Sequence, residues 1–398
     1  MKKIIAMLLC LLLLTGCTSG VPETTAPTEP EYIGNSPVPN IRTGIYRQGI
    51  STFNNGFEST DTGYYFLYTS MNGTYLLYGE HDSDTIIKLC GRPDCAHDNR
   101  SCNACFDLAF NVCYYEGHLY VLDVAGGGVV LYRIDPDGTN RVKVMDTASL
   151  SGYNGSYAPI INNGMLHFAL TKLDESGDQI YHYYYYRLDG SMEEPERAPD
   201  MAPTYCDGYN QFLSGESSTG EPRQGLYLWD TEANEAVYLT NKPEQWAYWA
   251  TESAYYVDDG IIYQSVYGES EAQVVFDTGL RGELRLHGFP DCFVLSRDNF
   301  EGSEVVRSET LFFYDWEFNS FGQVELDYPV YFDINYNMIC GETENRIYLA
   351  AHSIGIPEYY IDKSDFDSGH IKLHPLTLPD DIEKEFQYKE EDAAPWEE

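Results

Sequence analysis

The chain has 398 residues, with 63 Asp and Glu against 24 Lys and Arg and a formal net charge of −39. This length suffices for one large core or for two domains. So acidic a surface repels the phosphates of nucleic acids and of anionic lipids. We therefore expect no nucleic-acid partner and no attachment to a membrane through a basic patch.

The first seventeen residues have the pattern of a bacterial lipoprotein signal. Two lysines precede an apolar run over 4–14, and small residues precede Cys17. The run is too short to cross a bilayer, since a spanning helix needs about 20 apolar residues. We predict a cleaved signal peptide at 1–16 and a lipid on Cys17, which would anchor the protein at the extracytoplasmic face of the cell membrane. An ordinary cleaved signal with an incidental cysteine is the alternative.

Two segments flank the part of the chain that can fold. Residues 17–42 are rich in Thr, Pro, Ser and Glu and hold few large apolar side chains. Such a segment buries too little surface to fold, so we predict a disordered tether that begins at the lipidated cysteine. At the other end, 380–398 is predicted to be an acidic C-terminal tail.

Between these segments a short pattern recurs. Apolar-aromatic runs end at an acidic residue, are followed by a polar turn, and are often preceded by a strand introduced by Gly or Asn. The acidic residues lie 38 to 55 positions apart and are Glu80, Asp135, Asp189, Asp230, Asp277, Asp315 and Asp362. A four-stranded unit repeated at roughly this spacing is typical of propeller blades. The sequence predicts an all-β chain with a single β-propeller over 43–379, of seven blades, with six or eight, or a β-sandwich pair, as alternatives.

Two features of this repeat need interpretation. Closing the ring requires the first and last blades to share strands, and either 45–47 or 384–390 could supply one. The run Asp135-Pro136-Asp137-Gly138 resembles the start of a calcium loop, but the twelfth position holds an aspartate where the bidentate glutamate belongs. Asp-Gly before a strand is also a common hairpin turn, and we favour the turn.

Four thiols and one imidazole lie within sixteen residues: Cys90, Cys95, His97, Cys102 and Cys105. Thiolates and imidazole suit zinc, so a structural zinc site is one interpretation, either with His97 as fourth ligand or with four cysteines as ligands. A disulfide staple is the competing interpretation, because disulfides persist outside the cytoplasm. Free thiols are the third. No other cofactor is predicted.

The lipoprotein signal, the Thr/Pro tether, the degenerate repeats and the Cys-x4-Cys-x-His-x4-Cys loop together resemble the β-propeller lipoproteins of anaerobic Gram-positive bacteria. Those proteins are distantly similar to TolB-type propellers. The resemblance implies a lipoprotein exposed at the cell surface and implies no particular activity. An anaerobic source would disfavour disulfides, because oxidising power is scarce there.

The sequence contains no nucleophile elbow, no phosphate-binding glycine loop and no His-Glu-x-x-His pattern. We assign no catalytic residue and predict a binding or assembly module that meets membrane lipid through Cys17 and a protein or glycan through a propeller face. A carbohydrate-active or hydrolytic propeller with carboxylates in the central channel is the alternative. The aromatic strand at 181–186 is expected to pack between blades, with glycan stacking as the second interpretation.

Overall fold

The structure is a computed structural model. The chain divides into two units, Met1–Gly34 and Asn35–Glu398, and the described residues all belong to the second. They run from 57 to 384 with gaps at 71–72, 126–127, 148–149, 151–154, 163, 174–178, 198–201, 207–210, 217–221, 231–234, 241–247, 250–252, 267–268, 270, 283, 290, 302–303, 327–338 and 351–355. Cys17, the tether and 385–398 lie outside them.

The described residues form seven antiparallel sheets, numbered here 1 to 7 in chain order. Within each sheet the strands follow one another as neighbours, and sheet 1 has a fifth strand beside its third. The strands of sheets 1 to 3 are β1 Glu58–Ser59, β2 Gly63–Ser70, β3 Gly73–Glu80, β4 Ile86–Lys88, β5 Cys105–Phe106, β6 Ala109–Tyr115, β7 His118–Ala125, β8 Gly128–Ile134, β9 Val142–Thr147, β10 Gly155–Asn162, β11 Met165–Leu173, β12 Gln179–Arg187 and β13 Glu196–Arg197.

The later sheets repeat this pattern. The strands of sheets 4 to 7 are β14 Ala202–Cys206, β15 Gln211–Glu216, β16 Pro222–Asp230, β17 Glu235–Thr240, β18 Tyr248–Trp249, β19 Ser253–Asp258, β20 Ile261–Val266, β21 Gln273–Asp277, β22 Arg285–Gly288, β23 Cys292–Glu301, β24 Glu304–Asp315, β25 Ser320–Leu326, β26 Ile339–Glu342, β27 Arg346–Leu349, β28 Tyr359–Asp362 and β29 His374–Pro375. A 3₁₀ helix spans Lys363–Ser368. The all-β prediction and the β-propeller class are confirmed.

In six sheets the acidic residue of the repeat is the last residue of the third strand or follows it within two positions. Glu80, for example, ends the third strand of sheet 1, and Asp315 ends the third strand of sheet 6. Asp277 differs, because it ends β21, the fourth strand of sheet 5. The sequence pattern assigns 261–263 to the strand that precedes the one with the acidic residue, which is the second strand in the other sheets. In sheet 5 these residues belong to the third strand, β20. This shift by one strand accounts for the short spacing between Asp277 and Asp315.

Glycine turns join many of the strands. In the β6–β7 hairpin Glu116 and Gly117 have φ of 47° and 81°, and in the β19–β20 hairpin Asp259 and Gly260 have φ of 43° and 79°. Two consecutive residues with positive φ form the tight turn that matches the twist of an antiparallel pair. The sequence therefore sets the register of these hairpins through the position of one glycine each.

The core lies between the sheets. Strand β2 is buried over Tyr64–Tyr68 on both of its faces, because sheets 2 and 7 pack against it from either side. The Tyr64 ring lies 4.3 Å from that of Tyr348 in sheet 7 and 5.2 Å from that of Phe57. Large aromatic rings fill this junction and supply much of its buried area. Within the described part of the chain, no helix is long and apolar enough to cross a membrane.

Sheet 7 reaches sheet 1 along the outer side of β4. The Ile86 amide donates to the Thr377 carbonyl at 2.9 Å, and the Thr377 amide donates to Asp84 at 2.7 Å. Beyond them the Lys88 ammonium lies 2.5 Å from an Asp381 oxygen, and Ile382 is buried in the same core cluster. Contact between the two sheets thus uses residues before 384, while 45–47 and 385–390 lie outside the described residues.

Candidate metal centre

The cysteine-rich loop interrupts the outer edge of sheet 1. Strand β4 pairs with the second half of β3, from Leu77 to Gly79, whereas β5 pairs with its first half, at Thr74 and Tyr75. The loop at 89–104 leaves the edge after β4 and returns to it at β5. Two backbone bonds fix its ends: Leu89 donates to Leu76 at 2.9 Å, and Leu76 donates to Ala104 at 2.8 Å.

Four side chains of this loop converge on one point. One ligand atom each of Cys90, Cys95, His97 and Cys102 lies within 4.8 Å of all the others. His97 Nδ1 and Cys102 Sγ are 3.3 Å apart. In a tetrahedral site with zinc–sulfur bonds of about 2.3 Å, ligand sulfurs are about 3.8 Å apart. The spacing fits a single metal ion with three thiolates and one imidazole, one of the two ligand sets that the sequence allowed.

Tight backbone turns bring these residues together. Cys95 N donates to the Arg92 carbonyl at 3.2 Å, and Cys102 N donates to the Asn99 carbonyl at 2.9 Å. His97 has a φ of 56°, so the chain reverses at the imidazole. Each turn places a thiol on the inner side of the loop, which explains why ligands separated by different numbers of residues face one another.

Hydrogen bonds and positive charge surround the sulfurs. The Arg92 guanidinium donates to Cys95 Sγ at 3.1 Å, and the Ala104 amide donates to Cys102 Sγ at 3.3 Å. Burial, together with the charges of Lys88 and Arg92, lowers the pKa of His97. A lowered pKa favours the neutral imidazole, which is the form that binds a metal. Such donors also offset the single net negative charge of a zinc ion with three thiolates.

Cys105 lies beside this group and outside it. Its Sγ donates to the His97 carbonyl at 3.6 Å. A hydrogen bond between the Cys102 and Cys105 thiols raises the pKa of Cys102, which is also buried, and lowers the pKa of Cys105. The shifts have opposite signs because the Cys102 thiol donates this hydrogen bond and Cys105 accepts it.

Within the described part of the chain, no disulfide joins any two of Cys90, Cys95, Cys102, Cys105, Cys113, Cys292 and Cys340. Cys113 and Cys292 are buried in the sheets and behave as small apolar side chains. Cys206 ends β14, and its side chain is outside the described residues.

The loop packs against the turn that joins β8 to β9 in sheet 2. The Gly91 amide donates to the Gly138 carbonyl at 3.1 Å, and Asn103 Nδ2 donates to the same oxygen at 2.8 Å. Gly138 has a φ of 78°, and a Cβ there would lie 2.8 Å from the Gly91 nitrogen. The Asp137 carboxylate accepts from the Thr139 amide at 2.9 Å. This confirms a hairpin turn at 135–140, and its glycine is needed for the loop to approach.

Arg141 fastens the loop from the side of sheet 2. Its Nη1 donates to the carbonyls of Cys102 at 2.9 Å and of Cys105 at 2.7 Å. The guanidinium also lies over the rings of Phe106 and Tyr132, at 4.3 and 3.9 Å from their centroids. Sequence reasoning missed this residue, because it is 36 to 39 positions away from the cysteines it contacts.

A buried histidine and the aromatic strand at 181–186 are used in packing. His167 is 4% exposed, and burial lowers its pKa to about 3. Tyr184 and Tyr186 of the aromatic strand are buried, with Tyr184 stacked on Phe168 at 5.7 Å. The burial of these two tyrosines agrees with the interpretation that the aromatic strand is used in packing. Cys17 lies outside the described residues, so its lipidation stays a prediction.

Comparisons with known proteins give the fold and little more. No family model matches the sequence, and no curated protein matches it. Among solved structures, a puromycin-hydrolyzing peptidase of Mycobacterium tuberculosis is 12% identical over 85% of this chain and 57% of its own, with a TM-score of 0.49. This chain thus spans little more than half of the peptidase's length.

Two further structures are similar over smaller parts. TolB from Acinetobacter baumannii is 13% identical over 70% of this chain and 65% of its own, with a TM-score of 0.37. The β-propeller domain of the trilobed protease from Pyrococcus furiosus is 10% identical over 70% of this chain and 98% of its own, also with a TM-score of 0.37. At such identities the likeness concerns the fold alone.

Proposed function

We propose that this chain is a membrane-anchored extracytoplasmic lipoprotein that acts as a binding or assembly module through a face of its β-propeller. The observation that carries the proposal is the order of its segments. A lipoprotein signal ends at Cys17, a Thr/Pro-rich tether follows, and the propeller comes after it. The partner is a protein or a glycan of the cell envelope.

Charge and length support this arrangement. The net charge of −39 repels anionic headgroups, so the lipid on Cys17 must hold the protein at the membrane. A Pro-rich chain extends by about 3.1 Å per residue. The tether can therefore lift the propeller tens of ångströms from the bilayer, where its faces are free to meet a large partner.

The cysteine-rich loop is proposed to hold a structural zinc through Cys90, Cys95, His97 and Cys102. Four protein ligands fill a tetrahedral zinc site and leave no position for a substrate or a reactive water. The zinc would therefore staple the loop to the edge of sheet 1 and take no part in catalysis. A disulfide in the same loop would serve the same purpose, and metal analysis of the purified protein separates the two.

Cell fractionation tests the anchor. In Cys17→Ala the acceptor of the lipid is gone, so we expect the chain to leave the membrane fraction and to take up no labelled fatty acid. Cys10→Ala, a cysteine within the apolar run of the signal, is the matched control and should remain lipidated. Retention of Cys17→Ala at the membrane would refute the anchor.

Crosslinking in intact cells tests the binding role. The wild-type lipoprotein is compared with a chain in which residues 1–56 carry an unrelated soluble domain at the same membrane. A species crosslinked to the wild type and absent from the control supports a partner of the propeller. Identical crosslinks in both would refute it. Turnover of a peptide or glycan by the purified propeller would favour the hydrolytic alternative.

A further inference from the structure

Cys105, the first residue of β5, is the fourth thiol of the cysteine cluster and lies next to a ligand of the proposed metal. It is not one of the four converging groups, but its Sγ donates to the carbonyl of His97, whose ring nitrogen Nδ1 lies 3.3 Å from Cys102 Sγ. The two residues form the sequence Cys102-Asn103-Ala104-Cys105. Cys-x-x-C spacing is the spacing of dithiols that are oxidised to disulfides and reduced again.

The backbone holds both thiols on one rigid turn. The Cys105 amide donates to the Cys102 carbonyl at 3.2 Å. A single nitrogen of Arg141, Nη1, donates to the carbonyls of both cysteines. Arg141 directly precedes β9 of sheet 2, and Cys105 is the first residue of β5 in sheet 1. The packing of the two sheets therefore holds the backbone of Cys102 and Cys105 in place.

We propose that Cys102 and Cys105 make the metal centre redox-sensitive, because a disulfide between them removes one ligand and releases the metal. This inference rests on the proposed zinc site. After oxidation only Cys90, Cys95 and His97 remain as ligands. Three ligands no longer close a structural tetrahedral site, and the zinc leaves.

The chemistry requires a small oxidant, since Cys102 is 0% and Cys105 5% exposed. A peroxide fits. The Cys102 sulfur, which would be a thiolate as a zinc ligand, attacks one peroxide oxygen, the O–O bond breaks, hydroxide leaves, and Cys102 becomes a sulfenic acid. The Cys105 thiol then attacks the sulfenic sulfur, an S–S bond forms, and water leaves. The thiols lose two electrons and the peroxide gains them; an external dithiol returns the electrons and restores both thiols.

The experiment uses the full mature chain, purified under reducing conditions and loaded with zinc. Hydrogen peroxide is added, released zinc is followed with a chromogenic chelator, and disulfides are mapped by peptide mass spectrometry. We expect loss of the bound zinc together with a Cys102–Cys105 disulfide. Dithiothreitol and added zinc should then restore the starting metal content.

Two variants decide the role of Cys105. Cys105→Ala keeps all four ligands, so it should bind zinc like the wild type and lose the reversible release by peroxide. Cys113→Ala removes a buried thiol of sheet 2 that is outside the loop, and it should behave as the wild type. If Cys105→Ala fails to fold, the wild-type disulfide map alone decides the proposal.

Each contrary result has its own meaning. Two results would overturn the redox inference and leave the zinc site standing. In the first, peroxide releases zinc from Cys105→Ala as readily as from the wild type. In the second, the disulfide forms between other cysteines. A reduced wild-type protein that binds no zinc overturns the proposed zinc site and this inference with it.

Discussion

Two junctions between neighbouring sheets are held by different means. Sheets 1 and 2 meet at the cysteine-rich loop, where the Gly91 amide donates to the Gly138 carbonyl and Arg141 donates to the carbonyls of Cys102 and Cys105. Sheets 6 and 7 meet at Lys363, whose ammonium lies 3.0 Å from Asp291 and 2.6 Å from Glu342. The first junction uses backbone groups of an irregular loop, and the second uses side chains next to regular strands.

The difference shows what an irregular segment requires. Around Lys363 the strands are already fixed by their ladders and by a core that includes Phe313 and Ile361, so three charged side chains suffice as a link. The loop at 89–104 has no strand or helix of its own. Its backbone groups can dock on sheet 2 only if the loop holds one shape, and a bound metal would enforce that shape from inside.

Removal of the metal is expected to have the largest effect. When free zinc is present at 1,000 times the dissociation constant of the site, binding stabilises the folded protein by about 4 kcal/mol. A strong chelator abolishes this stabilisation. Thermal unfolding with and without chelator, together with elemental analysis, measures the loss. Cys95→Ser should contain no zinc and should not respond to chelator, while Cys113→Ser should match the wild type. A wild-type protein that contains zinc and is unmoved by its removal would contradict a structural role.

Gly138→Ala tests the docking of the loop on sheet 2. The new Cβ meets backbone 2.8 Å away and occupies a positive φ, whereas Gly279 has a similar φ of 74° with nothing within 4 Å. Gly138→Ala and the control Gly279→Ala both place an alanine in a left-handed conformation, which costs about 1–2 kcal/mol. Gly138→Ala should cost about 1–3 kcal/mol more, through the displaced loop, and should weaken zinc binding. Equal losses in urea unfolding for the two variants would show that the close approach is unimportant.

Lys363→Met breaks the ionic link between sheets 6 and 7. Breaking a buried pair costs about 3–5 kcal/mol when a charge is left behind. Here we expect less, because Glu342 can take up a proton once its partner is gone. Arg281→Met, which breaks an exposed pair with Asp277, is the control and should leave the unfolding free energy unchanged. A loss for Lys363→Met no larger than that of the control would show that the link is dispensable.

The smallest effect is a pH dependence at the same junction. Burial raises the pKa of Glu342 to about 7 from 4.5, against the opposing effect of Lys363. Because the folded state binds this proton more tightly than the unfolded state does, protonation of Glu342 stabilises the fold. This contribution to the free energy of unfolding is fully present below pH 4.5 and is lost as the pH rises through 7. Relative to Glu342→Gln, the wild type should therefore become less stable between pH 5 and 8 in urea titrations. A constant difference over this range would refute the shift.

The fold could be predicted from the sequence because its signals are local. Each hairpin combines aromatic strands with a turn glycine, as at Gly117 and Gly260, so the repeat is visible within a few residues. The error at Asp277 has the same origin: an acidic residue can end a third or a fourth strand, and only the pairing with Ile261 distinguishes them.

The site was predictable in its residues but not in its arrangement. Spacing alone could not decide whether His97 or Cys105 converges with Cys90, Cys95 and Cys102, because that depends on the left-handed backbone conformation of His97. The contacts from Gly138 and Arg141 join segments more than thirty residues apart. No local pattern encodes them, since they depend on how two sheets pack.

The split outer edge of sheet 1 has a consequence for the order in which the chain assembles. His97 and Cys102 are five positions apart, whereas Lys88 and Asp381, at the contact with sheet 7, are 293 apart. The entropy lost on closing a loop grows with its length, and a chain that emerges amino end first holds the whole cysteine cluster long before Asp381 appears. The cysteine-rich loop can therefore form early and keep the edge of sheet 1 in shape until the last sheet arrives to cover it.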